Sequence, residues 1–256
     1  MSEPILYTTG LTRKFGGITA VNDVDFSVEP GTITGLIGHN GAGKTTLFNN
    51  ITGMDTPSSG TVHFQGQDIT GRPAHRICRM GIARTFQNIR LFKELTVLEN
   101  VMIGRHFRGS QFRLGAAMTS LFRRGREQRQ IVQDAIKWLE FLNLQDFLAE
   151  PAKNLAYGRQ RELEIARALA TEPSVIFLDE PAAGMNPIET DQLMATIRRI
   201  QASGVTVVLI EHDMKLVMNI CSRITVLNYG SKIAEGNPAE IRANHQVIEA
   251  YLGKDE

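Results

Sequence analysis

The residues best suited to chemistry begin with a glycine-rich run near position 40, Gly38-His39-Asn40-Gly41-Ala42-Gly43-Lys44-Thr45, followed by Thr46. This run fits the phosphate-loop pattern GxxxxGK[ST]. Its glycines let backbone N–H groups approach the phosphates of a nucleotide, Lys44 supplies a positive charge between the β and γ groups, and the Thr45 hydroxyl can coordinate Mg²⁺. We therefore predict that residues 38–46 bind a nucleotide.

An acidic pair, Asp179-Glu180, follows the apolar run Ser174 to Leu178. A carboxylate at the C-terminal end of a sheet strand is a common position for Mg²⁺ binding beside a phosphate loop. Asp179 is thus the predicted metal-side residue, directly or through a water, and Glu180 is the candidate general base. Helix capping is the alternative role for this pair.

The elements that position these residues are predicted from the apolar pattern. Thr32 to Ile37 predicts a strand before the phosphate loop, and Lys44 to Thr52 predicts a helix after it. The apolar runs 174–178 and 205–210 predict two buried parallel strands joined by a helix. A strand–helix–strand unit of this kind is right-handed and belongs to an open α/β sheet. The predicted fold is a phosphate-loop NTPase core with a mostly parallel sheet.

Around this core we predict three additions within a single domain, 1–256. The first is an antiparallel β part at the start of the chain, with a turn at Gly16-Gly17. It belongs to the predicted catalytic core, which comprises 1–86 and 168–237. Residues 87–167 form a helical subdomain with an apolar helix face (Ile131, Ala135, Ile136, Leu139, Leu142). One helix closes the chain within 238–256.

Composition excludes several classes of protein. The chain has 28 basic and 27 acidic residues, which gives no general polyanion-binding surface and predicts no nucleic-acid partner. Its longest strongly apolar run, Val205 to Ile210, is far shorter than the roughly 20 residues that cross a bilayer. Only Cys78 and Cys221 are present, and Met1 to Gly10 has no signal-peptide pattern, so we predict a reducing, cytoplasmic location.

Residues 104–130 form a basic insert with seven arginines and the single acid Glu127. A solvated face is the ordinary explanation for such a charge run. Contact with lipid headgroups or an acidic partner is the alternative.

Four short motifs occur in one order along the chain: Thr85-Phe86-Gln87, Asn154-Leu155-Ala156-Tyr157-Gly158-Arg159-Gln160, Asp179-Glu180-Pro181 and Glu211-His212-Asp213. With the phosphate loop, this order resembles the ATP-binding subunits of ABC transporters over essentially the whole chain. The resemblance implies ATP and Mg²⁺ as cofactors. It implies that Gln87 contacts Mg²⁺, the attacking water and a membrane subunit, that His212 binds the γ-phosphate, and that Phe15 stacks on adenine. Taken singly, Phe15 and His212 have ordinary structural explanations.

The resemblance also implies that the signature segment, here Ala156, Tyr157 and Gly158, closes over ATP bound by a second subunit. The family's usual serine is replaced by Ala156, so its hydroxyl contact is absent. Asn186 stands where many relatives carry an aspartate, which keeps the hydrogen bonding but loses the charge.

Longer segments, NLAYGRQRELEIARAL, DEPAAGMNP and LIEHDMKLVM, resemble the longer ATP-binding subunit of branched-chain amino acid importers. The ATP-binding subunits of urea and short-amide importers share much of this sequence. The resemblance implies a homologous ATP-binding partner, two transmembrane permease subunits and, indirectly, a binding protein. It places the chain peripherally on the cytoplasmic face of the inner membrane. A soluble ABC ATPase, and a phosphate-loop GTPase or kinase, are the alternatives of other classes.

Overall fold

The computed structural model describes residues 3–106 and 120–252. The chain divides into two compact units. Met1–Gln87 with Ser174–Glu256 is called the core unit, and Asn88–Pro173 is called the helical unit. The helical unit extends past the predicted limit at residue 167 because its last helix continues to Leu169.

Secondary structure accounts for most of the described residues. The strands are β1 Leu6–Phe15, β2 Ile18–Val24, β3 Ser27–Val28, β4 Ile33–Ile37, β5 Ser59–Phe64, β6 Gln67–Asp68, β7 Ile82–Arg84, β8 Val175–Asp179, β9 Thr206–Ile210, β10 Arg223–Asn228 and β11 Ser231–Gly236. The helices are α1 Lys44–Ile51, α2 Ala74–Met80, α3 Val97–His106, α4 Ser120–Phe141, α5 Tyr157–Leu169, α6 Pro187–Ala202, α7 Met214–Ile220, α8 Pro238–Ala243 and α9 His245–Leu252.

The larger sheet of the core unit has the strand order β11-β10-β4-β9-β8-β7. Its pairings are parallel except for the antiparallel β10–β11 hairpin. Every residue of β4, β8 and β9 is buried, which explains their continuous apolar runs. Because these strands are parallel neighbours, their C-terminal ends meet at one sheet edge, where Leu36 and Asp179 both pair with Ile210. The predicted α/β fold is confirmed.

The second sheet of the core unit has the order β2-β1-β5-β6, with β3 also paired to β1. The β1–β2 hairpin turns at the predicted Gly16-Gly17. Buried aromatic side chains fill the space around both sheets, among them Phe26, Phe48 and Phe177. Phe48 of α1 packs edge-on against Phe177 of β8, with ring centroids 4.8 Å apart, and so ties the helix after the phosphate loop to the acidic strand.

The helical unit contains α3, α4 and α5. The predicted apolar face of α4 packs inward, since Ile131, Ala135 and Leu139 are buried. Residues 107–119 of the predicted basic insert lie outside the described residues. Its first arginine, Arg105, is not part of a solvated face, because its guanidinium pairs with Asp134 at 3.0 Å and Glu172 at 3.1 Å.

The closing segment differs from the single helix we predicted. It forms two helices, α8 and α9, separated at Asn244, whose backbone is extended (φ −79°, ψ 118°). The Asn244 side chain accepts hydrogen bonds from the N–H groups of Gln246 and Val247. It therefore caps α9 and starts a new helix instead of continuing the old one. Within the described parts of the chain, no helix is long and apolar enough to cross a membrane.

Candidate functional site

The phosphate loop connects β4 to α1 at the C-terminal edge of the larger sheet, as predicted. Gly43 precedes the first residue of α1 with φ 98°, and a Cβ atom there would lie 2.3 Å from the Ala20 carbonyl oxygen. At Gly38 a Cβ atom would lie 2.4 Å from the Leu227 carbonyl oxygen. Both positions therefore require glycine, because the loop backbone packs directly against neighbouring backbone.

Lys44 is buried and turned back into the loop. Its Nζ donates hydrogen bonds to the carbonyl oxygens of Gly38 at 2.7 Å and His39 at 3.0 Å. Burial lowers the pKa of Lys44, against the opposing attraction of the Glu180 and Asp179 carboxylates. The ammonium group thus lies where the loop and the two acids converge. Thr45 is exposed and Thr46 half-buried in the first turn of α1.

Asp179 ends β8 as a buried carboxylate paired with an arginine that our sequence analysis did not single out. Arg84 donates from Nη2 to Asp179 Oδ2 at 2.7 Å, and both side chains are almost completely buried. Its Nη1 donates to Asn49 at 2.7 Å and to Thr52 at 3.1 Å, both in the last turns of α1 or just after it. A charged residue in the short strand before Phe86 was the available signal. Arg84 thus joins the acidic strand to α1.

Glu180 lies one residue beyond β8 in a left-handed backbone conformation, φ 46°. Such a conformation is uncommon for a residue other than glycine and is concentrated at functional sites. Its N–H donates to the Ile210 carbonyl at 3.0 Å, which holds it against β9. Its Oε2 accepts a hydrogen bond from Gln87 Nε2 at 2.8 Å and lies 4.0 Å from His212 Nδ1.

These side chains share one cavity. Gln87, Glu180 and His212 line a space of about 320 Å³ together with the first three residues of the phosphate loop, Gly38, His39 and Asn40. The structure therefore brings together the predicted base, the predicted Gln87 and His212, and the predicted phosphate-binding loop. The alternative helix-capping role of the acidic pair is not observed, because α6 is capped by Asn186 instead.

Asn186 and Glu189 form a reciprocal capping box at the start of α6. Asn186 Oδ1 accepts from the N–H groups of Ile188 and Glu189, and Glu189 Oε2 accepts from the Asn186 N–H. The replacement of aspartate by asparagine at this position is compatible with capping, since both residues are favoured at an N-cap.

Glu211 belongs to the Glu211-His212-Asp213 motif, but the sequence analysis assigned it no role of its own. It is buried directly after β9, and its carboxylate accepts hydrogen bonds from the N–H groups of Ala182 at 2.8 Å and His212 at 3.3 Å. Burial raises its pKa, while these hydrogen bonds oppose that rise. Glu211 thereby connects the segment after Glu180 to the backbone of His212. An acid immediately after an apolar strand was its only sequence signal.

Phe15 ends β1 with 46 % of its surface exposed. The Arg13 guanidinium lies 4.4 Å from the centroid of its ring. This exposure is uncommon for a phenylalanine that serves only as core, and it leaves ring surface accessible for stacking.

The predicted signature segment lies at the start of α5 in the helical unit. Ala156 precedes the helix and makes no side-chain capping bond, and Tyr157 is 47 % exposed. One turn further, Arg161 and Glu164 form a buried ion pair at 2.9 Å. Glu164 also accepts from the Arg90 N–H at 3.1 Å, which ties α5 to the segment that follows Asn88. The pair was not predicted.

Comparisons with known proteins agree with this arrangement. Residues 21–183 match the family model described as ABC transporter, and residues 231–256 match the one described as branched-chain amino acid ATP-binding cassette transporter. The chain is 50% identical to the high-affinity branched-chain amino acid transport ATP-binding protein BraF of Pseudomonas aeruginosa, over 99% of this chain and 100% of that protein.

Solved structures are similar as well. The ADP conformation of an ATP-binding cassette of an ABC transporter superposes with a TM-score of 0.86 at 35% identity, covering 99% of this chain and 100% of that one. A dimeric ATP-binding cassette in a post-hydrolysis state, bound to ADP and phosphate, superposes with a TM-score of 0.76 at 25% identity, covering 91% and 98%. The phosphate loop, the acidic strand end and these likenesses along the entire chain agree, and the chain belongs to the ABC transporter family as one of its ATP-binding proteins.

Proposed function

We propose that this chain hydrolyses ATP to drive an importer of branched-chain amino acids. The observation that carries the proposal is the single cavity that brings Glu180, Gln87 and His212 to the phosphate loop. The transported class is that of the Pseudomonas aeruginosa relative, a branched-chain amino acid transport ATP-binding protein that is 50% identical to this chain.

In the proposed hydrolysis, the loop N–H groups and Lys44 hold the phosphates of ATP, and Glu180 accepts the proton of the attacking water. Gln87 orients the Glu180 carboxylate through its 2.8 Å hydrogen bond. His212, across the cavity, donates a hydrogen bond to the γ-phosphate. Because hydrogen bonds hold Lys44, Gln87 and Glu180 in place before the reaction, these groups can act on the transferred phosphoryl group and the water without rearrangement.

The residues present also fit Mg²⁺, which prefers hydroxyl, amide and carboxylate oxygens. Arg84 holds Asp179 Oδ2, which leaves Oδ1 as the candidate ligand, directly or through a water. The Thr45 hydroxyl and Gln87 complete the proposed set. When bound, the ion neutralises charge on the β- and γ-phosphates. Phe15 is the proposed stacking surface for adenine.

The proposed assembly has two homologous ATP-binding subunits arranged head to tail. The Ala156-Tyr157-Gly158 segment of each would cover ATP held by the other, with the N–H groups at the start of α5 directed at the phosphates. Two transmembrane permease subunits and, indirectly, a binding protein complete the importer, at the cytoplasmic face of the inner membrane and without a nucleic-acid partner. The dimeric cassette bound to ADP and phosphate supports the pairing of two ATP-binding subunits.

The test measures ATPase activity of the membrane-reconstituted complex after a binding protein loaded with leucine, isoleucine or valine is added. We expect stimulation by these amino acids and none with the unloaded binding protein. A complex carrying Glu180→Gln controls for contaminating ATPases. Stimulation by urea or a short amide, and not by these amino acids, would replace the proposed substrate and leave the ATPase assignment intact.

A further inference from the structure

We propose that the turn of the β10–β11 hairpin, Asn228-Tyr229-Gly230, positions the phosphate loop, and that Asn228 does so by holding the side chain of His39. This inference rests on the proposed ATP-binding function and adds a positioning residue to it.

The hairpin turn has an unusual residue in a demanding conformation. Asn228 pairs with Ser231 across the hairpin, and the two residues between them have φ 45° (Tyr229) and φ 83° (Gly230). Two successive positive φ values are typical of a type I′ turn, in which asparagine or aspartate before glycine is favoured. A tyrosine at the first of these positions is strained. Its side chain is 71 % exposed, so burial does not explain the strain.

Contacts with the phosphate loop explain why the strained conformation of Tyr229 is kept. The Gly230 N–H donates to the Ala42 carbonyl at 3.0 Å, and the Tyr229 ring lies edge-on to the His39 ring, with centroids 4.8 Å apart. Just before the turn, the Leu227 carbonyl is so close to Gly38 that no side chain fits between them. The turn therefore contacts the loop near its beginning and again before Lys44.

His39 is the side chain that links the turn to the cavity. Its Nδ1 lies 2.7 Å from the Asn40 carbonyl oxygen, which only accepts, so Nδ1 carries the proton and donates. Its Nε2 lies 2.6 Å from the side-chain amide of Asn228, 189 residues later in the chain. With the proton on Nδ1, Nε2 accepts, so the hydrogen bond requires the planar Asn228 amide to present its NH2 group to the ring. Because His39 also lines the cavity, Asn228 fixes the ring and, through it, the backbone at residues 39 and 40, where N–H groups approach the phosphates.

The test compares Asn228→Ala with the matched variant Asn219→Ala, whose exposed side chain donates to the Lys215 carbonyl within α7. MgATP binding to the full chain is measured by titration calorimetry, below the unfolding midpoint of each variant. We expect Asn228→Ala to raise the Kd about 3- to 10-fold, the size of one net hydrogen bond, and Asn219→Ala to leave it unchanged. The kcat of the complex at saturating ATP should stay within about twofold, since Asn228 acts on loop geometry and not on the base.

A double-mutant cycle separates this role from general destabilisation. If Asn228 acts through His39, Asn228→Ala should change the Kd by less than about twofold in a His39→Ala background. An undiminished effect there, or no effect of Asn228→Ala in the natural background, would overturn the inference. Lys44→Ala separates a failure of this inference from a failure of the proposed function. If the natural protein binds MgATP and Lys44→Ala abolishes that binding, the proposed function stands, whatever the effect of Asn228→Ala.

Discussion

The catalytic cavity of the core unit and the signature segment of the helical unit are built on different principles. In the cavity, the ends of parallel strands bring Glu180 within 2.8 Å of the Gln87 amide and 4.0 Å of His212, and Lys44 is held by carbonyl oxygens of the phosphate loop. The signature segment lies at the start of α5, where Ala156 occupies the N-cap position without a side-chain capping bond and Tyr157 is exposed.

The difference shows which part of the proposed reaction each region can perform. Side chains that are already paired and oriented suit proton transfer and phosphate binding in the same subunit. A helix start whose N–H groups lack a side-chain cap suits an anion brought by another molecule. The cavity thus supplies catalytic groups, whereas the signature segment supplies backbone donors.

The largest expected effect tests the side-chain chemistry of the cavity. Glu180→Gln should reduce steady-state ATP turnover by about 10²- to 10⁴-fold, because the variant lacks the general base. Nucleotide binding should persist, and an ATP-bound dimer should accumulate in size-exclusion chromatography. Glu189→Gln, the same change in the α6 capping box, is the control. Turnover like that of the natural protein in Glu180→Gln would remove Glu180 from the mechanism.

The next effect concerns the buried ion pair beneath the cavity. Arg84→Met leaves the buried Asp179 carboxylate uncompensated and should lower the free energy of unfolding by about 3–5 kcal/mol in urea denaturation. Arg223→Met breaks a more exposed pair with Glu235 and should cost about 1 kcal/mol or less. Equal losses in the two variants would mean that the buried Arg84–Asp179 pair contributes no more to the free energy of unfolding than the more exposed pair does.

The signature segment should respond to charge and backbone obstruction rather than to the lack of a hydroxyl. Gly158→Asp should reduce hydrolysis by the assembled transporter about 10²- to 10³-fold at saturating ATP, because a carboxylate there repels the partner's γ-phosphate and blocks close approach. The isolated chain should not lose stability, since an acid in the first turn of a helix is favourable.

Ala156→Ser is the matched change for that experiment. Serine can cap α5, so the thermal midpoint should rise while hydrolysis changes only modestly. Robust activity in Gly158→Asp would show that this segment does not close over a partner's nucleotide.

The smallest expected effect is a pH dependence in the cavity region. Burial raises the pKa of Glu211 above 4.5, so the folded state binds this proton more tightly than the unfolded state. The contribution of Glu211 to stability therefore falls as pH rises from the unfolded value through the folded one. Glu211→Gln keeps an acceptor for the Ala182 N–H without the charge. Its stability relative to the natural protein should increase across this pH range in denaturation experiments, and a constant difference would contradict the burial of a charge.

Much of this architecture was predictable from local sequence. The glycines and Lys44 of the phosphate loop, the apolar runs that became β8 and β9, and the acidic pair after β8 are local patterns, because turn chemistry and strand burial depend on neighbouring residues. The order of the motifs then predicted the family, which the comparisons confirm.

Other features depended on which strands became neighbours. Arg84 meets Asp179 across 95 positions because β7 pairs with β8, and Asn228 meets His39 because β10 lies beside β4. Glu211 accepts the Ala182 N–H because the ends of β8 and β9 share one edge. Periodicity reports how a segment is buried, but the partner of a buried charge is decided by strand order, which only the tertiary structure supplies.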